Sequence, residues 1–454
     1  MTTTLYVGID LGKRSHVAAF FSKALLATHK SFSKAPTLKF ENSRAGFMLL
    51  LSTITAYAGG YRAVKNTRVL LERTGHYGLP LEQFLQENCV AVHRIQPKKR
   101  YSKGKKTDHF DARALAVMLY NYLELSVELP DEVQRIVPVL PVTETVRKLR
   151  GLVRHRYELI RERTQRKNKL TSILDEIFPE FTQVYDDPNS PSALALREKF
   201  PAPEDIAGAC LDELCATRLR SVPGNAAIEH LQVLARTTIG VRDPHRCFAL
   251  LIEQRQLIAE LRLLDQHIDE LERHIRVIIA DSREGKILIS FTGIGEIQAA
   301  TILSGIGTIA NFEKSGRLKG YLGWAPRLTQ SSETLDSSAL NKSGNGLLKQ
   351  TIYLATLSAI HYDPTWAALY NRLVTRLCVY DEKAKRYRGR LKALGHVAGQ
   401  MIKVMYTLLK RDHELMTSWD GEGEPPPPEL YDITKHTAGG RSMHQTTARA
   451  EDEL

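Results

Sequence analysis

The chain has 454 residues, 43% hydrophobic and 25% charged. At roughly 100–200 residues per domain this allows two to four domains, and the composition excludes a collagen-like or largely disordered chain. Lys and Arg outnumber Asp and Glu by 63 to 51, a formal net charge of +12, so a polyanionic partner is expected.

Residues 5–11 (LYVGIDL) read as a strand, 12–15 (GKRS) as a turn and 16–22 (HVAAFFS) as a second strand. A third strand is expected at 68–72 (RVLLE), a helix at 78–88 and a further strand at 90–95. Thr107 then opens a helix, DHFDARALAVMLYNYL. Strand, helix and strand in this order imply an α/β domain with a mixed sheet, ending near residue 140.

Two long helices follow. In the second, Leu250, Leu257, Leu261, Leu264, Ile268, Leu271, Ile275 and Ile278 fall on a heptad seam. The first, 146–177, steps through Val146, Leu149, Val153, Ile160, Leu170, Leu174 and Ile177, but Arg156, Arg163 and Lys167 interrupt its seam. The two could pair as an antiparallel hairpin with residues 180–245 inserted at its tip, or they could pair between chains as a coiled coil. From 286 onward the chain reads as mostly helical. Residues 288–306 form an apolar helix, a Gly-Ile-Gly turn and a second helix, a helix-hairpin-helix-like element. Gly293 and Gly295 are expected to leave backbone N–H groups for a phosphate; the competing reading is a tight turn packed inside the protein.

The expected organisation is therefore 1–140, 141–284, 285–415 and a disordered acidic tail at 416–454, where residues 421–454 hold seven acids against three Lys/Arg. No apolar run reaches the ~18–20 residues that span a bilayer, and the first nine residues do not read as a signal peptide. Five scattered cysteines without a CxxC pair argue against zinc ribbons and disulfides. The expected location is the cytoplasm. Positive charge concentrates at 94–106 (RIQPKKRYSKGKK, seven cations) and at 147–169, with ten cations against Glu158 and Glu162. Both are expected to hold nucleic-acid phosphates.

Four acids could carry chemistry. Asp10 interrupts an apolar strand, where an unpaired charge is costly. Glu72 ends another strand. Asp108 and Asp111 share one helix face at i, i+3. Taken separately, Asp108 and Asp111 read as first-turn acids beside an N-cap Thr107, and Glu72 as a surface acid. Taken together, they form a carboxylate set suited to Mg²⁺ or Mn²⁺. Two such ions can drive phosphodiester cleavage.

Ile9-Asp10-Leu11-Gly12-Lys13, Leu71-Glu72 with Gly75, and Lys106-Thr107-Asp108-His109-Phe110-Asp111-Ala112 resemble the insertion-sequence transposases with a RuvC-like DEDD domain. That group contains the bridge-RNA-guided recombinases and the Piv-type invertases. Leu322-Gly323-Trp324-Ala325-Pro326, Gln330-Ser331-Ser332-Glu333-Thr334 and Lys342-Ser343-Gly344-Asn345 with Leu348-Lys349 resemble its C-terminal transposase domain. The resemblance covers about residues 1–180 and 285–410. It implies an RNase H-like fold for the first domain and DNA as substrate. It also implies a structured guide RNA, a dimer or tetramer, and a serine nucleophile that forms a phosphoserine–DNA intermediate. The matching serine is Ser331. Ser332 stands where the family usually has glycine, so the choice between the two hydroxyls is open. Pro326 and Gly323 are expected to stop a helix and place Ser331 on an accessible loop, with Lys342 and Lys349 near the flanking phosphates. The rival reading is a metal-dependent nuclease without a serine intermediate; a non-catalytic nucleic-acid-binding protein is the third.

Overall fold

The computed structural model describes residues 4–29, 31, 34–72, 76–97, 107–125, 127, 133–139, 142–219, 222–331, 334–340 and 345–432. The chain forms two compact units, 1–141 and 142–454. Among the described residues no helix is long and apolar enough to cross a membrane.

The first unit runs β1 (Leu5–Asp10), β2 (Ser15–Phe21), α1 (Lys23–His29), β3 (Thr37–Glu41), α2 (Arg44–Ala58), β4 (Thr67–Glu72), α3 (Leu79–Glu87), β5 (Ala91–Pro97), α4 (Asp108–Glu124) and β6 (Val133–Pro138). Its six-stranded sheet has the order β3-β2-β1-β4-β5-β6. Strands β1, β4 and β5 are parallel, while β2, β3 and β6 run antiparallel to their neighbours. This is the mixed sheet expected from the sequence.

Alternation along each strand divides the apolar residues between two layers. Leu5, Val7 and Ile9 of β1 join Val69 and Leu71 of β4 beneath Phe47, Leu50 and Ile54 of α2 and Leu81 and Leu85 of α3. The opposite face carries Tyr6, Val17, Ala19, Phe21 and Leu70, covered by Ala112, Leu115, Ala116, Leu119 and Tyr120 of α4.

The second unit is organised on α5 (Glu144–Ile177). After α6 (Pro191–Lys199), α7 (Pro203–Gly208), α8 (Leu211–Cys215) and α9 (Asn225–Arg236), the chain returns as α10 (Pro244–Asp281). Ion pairs Arg156–Glu272, Arg163–Asp265, Arg166–Glu260, Lys169–Glu253 and Glu176–Arg246 show that α5 and α10 are antiparallel within one chain. Leu264 and Ile268 bury against Leu159, and Ile258 and Leu261 against Leu170. The apolar seam of α10 is thus closed by α5 and needs no second subunit. The cations that interrupt the α5 seam, Arg156 and Arg163, reach across to acids of α10. Of the cations expected to meet phosphates, Arg156, Arg163, Arg166 and Lys169 are thus engaged by acids of α10.

At one end of this hairpin the insertion has its own core, with Phe178, Phe181, Leu196, Ile206 and Leu231 packed against Ile173, Ile177 and Leu250. It is anchored by Arg197, which is 2% exposed. The Arg197 guanidinium donates to Gln254 Oε1 from Nε at 3.0 Å and Nη2 at 2.7 Å, and to the Leu170 and Pro188 carbonyls. Burial lowers its pKa to about 10, so it stays charged at neutral pH.

At the other end, α11 (Arg283–Ile289), α12 (Glu296–Ile306), α13 (Ser315–Tyr321), α14 (Gly346–Tyr362), α15 (Pro364–Leu377) and α16 (Arg390–Ser418) build a helical core around Phe291, Ile302, Trp324, Ile352, Trp366 and Met401. Two hairpins interrupt it, β7 (Pro326–Ser331) with β8 (Thr334–Leu340) and β9 (Val379–Asp381) with β10 (Arg386–Arg388). The expected disordered tail at 416–454 is corrected over its first part. Helix α16 continues to Ser418, and Tyr431 is only 9% exposed. The Tyr431 ring stacks on Phe291 at 4.6 Å, its N–H donates to Ser290 Oγ at 2.9 Å, and its hydroxyl donates to Asp363 Oδ2 at 3.2 Å. Residues 433–454 lie outside the described residues.

Leu264→Asp should test the closure of the α5–α10 seam. It places a charge in an apolar contact and should cost about 3 kcal/mol in urea unfolding. If the seam is closed within the chain, the mass by light scattering stays that of the parent protein while it is still folded.

Candidate active site

The site follows from how α4 lies on β1. The Tyr6 hydroxyl donates to Glu124, and the Tyr6 ring packs edge-on to Tyr120 at 5.3 Å. Two residues further along the strand, a Cβ on Gly8 would lie 2.2 Å from the Ala112 carbonyl oxygen and 2.3 Å from the Ala116 nitrogen. Only glycine permits this approach. Tyr6 therefore meets the last turns of α4 and Gly8 its middle, so the helix runs antiparallel to the strand. Asp10, the next residue on the same face, projects toward the start of α4, where Asp108 and Asp111 stand in the first turn.

Glu72 joins them from β4. Ile9 pairs with Leu71 in the parallel ladder, so Asp10 and Glu72 occupy the next position on adjacent strands, about 4.8 Å apart at the backbone. Leu70, two residues before Glu72, packs on the α4 side, which sets Glu72 on that side as well. Asp10, Glu72 and Asp111 are half-buried and Asp108 is exposed. Asp10 and Glu72 thus stand at the ends of the two central strands on the face that α4 covers, and Asp108 and Asp111 in the first turn of that helix. Among the described residues, however, no group of three or more His, Cys, Asp or Glu is drawn together so as to hold a metal ion. The donor chemistry, carboxylates alone, fits a hard divalent cation.

The first turn of α4 is held from several directions. Thr107 caps it, accepting from the Phe110 N–H at 3.3 Å as expected. His109 Nδ1 lies 2.9 Å from Thr37 Oγ1, and Arg113 Nε donates to the Ala35 carbonyl at 2.9 Å. Sequence reasoning missed these two positioning residues. Their only signal was an i, i+4 pair of polar side chains beside Asp108 and Asp111. Behind Asp10, the Gly12 N–H donates to Nδ1 of His16, a residue 1% exposed.

Ser331 belongs to the second unit. It is the last residue of β7, paired with Thr334 across the hairpin, with a register shift between Thr329 and Gln330. The expected open loop is thereby corrected to a strand end. Thr329 and Thr334 favour extended backbone, and the absence of an apolar face hid the strand from the sequence pattern. Ser332, Glu333 and Lys342 lie outside the described residues, and Lys349 sits on α14. Gly323 ends α13 with φ +77°, as expected, and Trp324 is buried in the helical core.

The Gly-Ile-Gly phosphate site is also corrected. A Cβ on Gly293 would lie 2.6 Å from the Ala355 carbonyl oxygen of α14, so this glycine serves close helix packing. The Gly295 N–H is taken by Gln298 Oε1 at 2.9 Å. Of the basic run at 94–106, Arg94 forms a two-bond ion pair with Glu82. Residues 98–106 lie outside the described residues.

Comparison with known proteins decides the family. A DEDD-type transposase model of the IS110 group matches residues 7–179, and the model for the transposase IS116/IS110/IS902 family matches residues 285–371. The chain belongs to the IS110/IS116 family of transposases. It is 22% identical over 422 residues to the 43.6 kDa protein of insertion element IS110 from Streptomyces coelicolor, covering 89% of this chain and 94% of that protein. It is 25% identical over 388 residues to the IS117 mini-circle protein of the same organism, covering 81% and 87%. It is 24% identical over 436 residues to the 42 kDa protein of IS900 from Mycobacterium paratuberculosis, covering 91% and 97%. In this transposase-family chain the first match takes in all four acids and the second takes in Ser331.

Two outcomes follow. Gly8→Ala should cost about 3 kcal/mol in thermal or urea unfolding, because backbone atoms of α4 must move. Burial holds the His16 imidazole below its ordinary value of 6.5. The unfolded chain therefore binds more protons than the folded one below that pH. Stability should be full above pH 6.5 and decline as pH falls through 6.5 toward the lowered value. His16→Gln should flatten that decline; an unchanged profile would remove His16 from the account.

Proposed function

We propose that the protein is a DNA transposase that cuts and rejoins strands by phosphoryl transfer, with an acidic site formed at the ends of the central strands by Asp10, Glu72, Asp108 and Asp111. The observation that carries this reading is the placement of Asp10 and Glu72 on adjacent parallel strand ends, with Asp108 and Asp111 in the first turn of α4. Family membership and the name transposase borne by the IS117 relative support it. The six-stranded order is in keeping with the RNase H-like fold implied by the DEDD family.

The four carboxylates would hold Mg²⁺ or Mn²⁺. When bound, such a cation neutralises charge developing on the phosphoryl oxygens. Ser331 is the proposed nucleophile. Its Oγ bonds to phosphorus as the bond to the leaving strand breaks, and a DNA hydroxyl later displaces the serine. Each step exchanges one ester for another, so no energy source is consumed. The acids belong to residues 1–141 and Ser331 to residues 142–454. The DNA complex would unite them, within one chain or between chains of a dimer or tetramer. A structured guide RNA is the further partner that the sequence resemblance supports.

Asp10→Asn should lower strand cleavage about 10³-fold while leaving duplex affinity nearly unchanged, since one charge changes little in a chain of net +12. Ser331→Ala should abolish the protein–DNA adduct that survives denaturing electrophoresis. Adduct retained by Ser331→Ala but lost in Ser332→Ala assigns the neighbour. Cleavage without any adduct in the parent protein returns the site to a metal-dependent nuclease.

A further inference from the structure

The hairpin β9–β10 lies beyond the residues matched by either family model. Its two strands pair with each other and, among the described residues, with no other strand. An isolated two-stranded ribbon is marginal in water. This one is held by the directly opposed Tyr380 and Tyr387, whose rings meet edge-on at 5.1 Å. An Arg388–Asp381 ion pair and the Asp381 carboxylate, which accepts from the Lys383 and Ala384 N–H groups, add to it. The ribbon is exposed, and Val379 reaches 73%.

Its charge leans positive, with Lys383, Lys385, Arg386 and Arg388 against Asp381 and Glu382. Residues 383–411 contain nine Lys and Arg and no Asp or Glu. Four of them, Lys383, Lys385, Arg386 and Arg388, are on the hairpin. Arg390 and Lys392 follow at the start of α16, whose first turn holds no acid. A helix N-terminus ordinarily disfavours cations. Lys403 lies farther along α16, beside Lys319 of α13. Lys319 Nζ lies 3.6 Å from where a Gly399 Cβ would stand, near Lys403. Edge protection alone would explain scattered charge on an exposed ribbon. It does not explain nine cations without an acid from 383 to 411, beginning beside the exposed Val379 and Tyr380.

We propose that the Val379–Arg388 hairpin is a DNA-reading ribbon that enters the major groove of B-form duplex, with Lys383, Lys385 and Arg386 on the polyanion. A two-stranded ribbon fits that groove. The A-form groove of duplex RNA is too narrow to admit it. The assignment rests on DNA as the substrate and adds where the duplex is held.

The test uses the full chain and a 40-base-pair DNA duplex, with a duplex RNA of the same sequence, followed by fluorescence anisotropy over a salt series. The triple variant Lys383→Ala, Lys385→Ala, Arg386→Ala removes three exposed side chains and spares the ion-paired Arg388, so its thermal midpoint should match the parent. DNA affinity should fall about tenfold or more, and the slope of log K against log salt should flatten by roughly 2–3. Duplex RNA affinity should change little. A matching double variant, Lys383→Arg and Lys385→Arg with Arg386 kept, should retain DNA binding. Unchanged DNA affinity in the alanine variant overturns the inference, as does an equal loss on RNA. If the variant fails while the parent binds and cleaves DNA normally, transposase function stands and the ribbon is supported. If the parent binds no duplex, the DNA reading itself falls.

Discussion

The contact on which the site depends is the missing side chain at Gly8. With the Ala112 carbonyl and the Ala116 nitrogen where its Cβ would be, α4 lies directly on the central strand. A larger residue would lift the helix by the thickness of a methyl group. Asp10 and Glu72 would keep their places on the sheet, because the ladder fixes them. Asp108 and Asp111 would not, because their position comes only from the seating of α4. The placement of Asp108 and Asp111 is thus a consequence of backbone packing, and His109 and Arg113 hold the same helix end in place from the β3 side.

Much of the first unit was legible in the sequence, for identifiable reasons. Strands β1, β2 and β4 are continuous apolar stretches bounded by turns, as expected for strands buried on both faces. Thr107 announces α4 by its capping chemistry. Strand β3 escaped because TLKFE buries one large side chain, Phe40, between polar residues. Helix α2 escaped because its apolar residues extend past the buried face, with Met48 and Leu49 about half exposed. The acids were legible as candidates, but the adjacency of the Asp10 and Glu72 strand ends was not, since it depends on which strands are neighbours.

In the second unit the heptad of α10 was readable, while its partner was not. The sequence of α5 shows a broken apolar seam and a dense basic run. The pairing with α10 explains the breaks at Arg156 and Arg163, which meet Glu272 and Asp265. The more exposed pair, Arg163–Asp265, contributes little energy of its own; both pairs fix orientation and register. The glycines of the Gly-Ile-Gly turn were read as ligand chemistry because a permissive backbone looks alike whether it approaches a phosphate or another helix. At Gly293 the neighbour is α14.

The α5–α10 hairpin also has a mechanical consequence. At 1.5 Å per residue the 34 residues of α5 extend about 50 Å. Val153 and Ile275 root one end in the helical core, and Ile173 and Leu250 carry the inserted core at the other. A rod of that length converts angle into travel: a tilt of about 5° at its root displaces its tip by roughly 4 Å. Whatever the inserted core grips would register a rotation at the root too small to disturb the packing there.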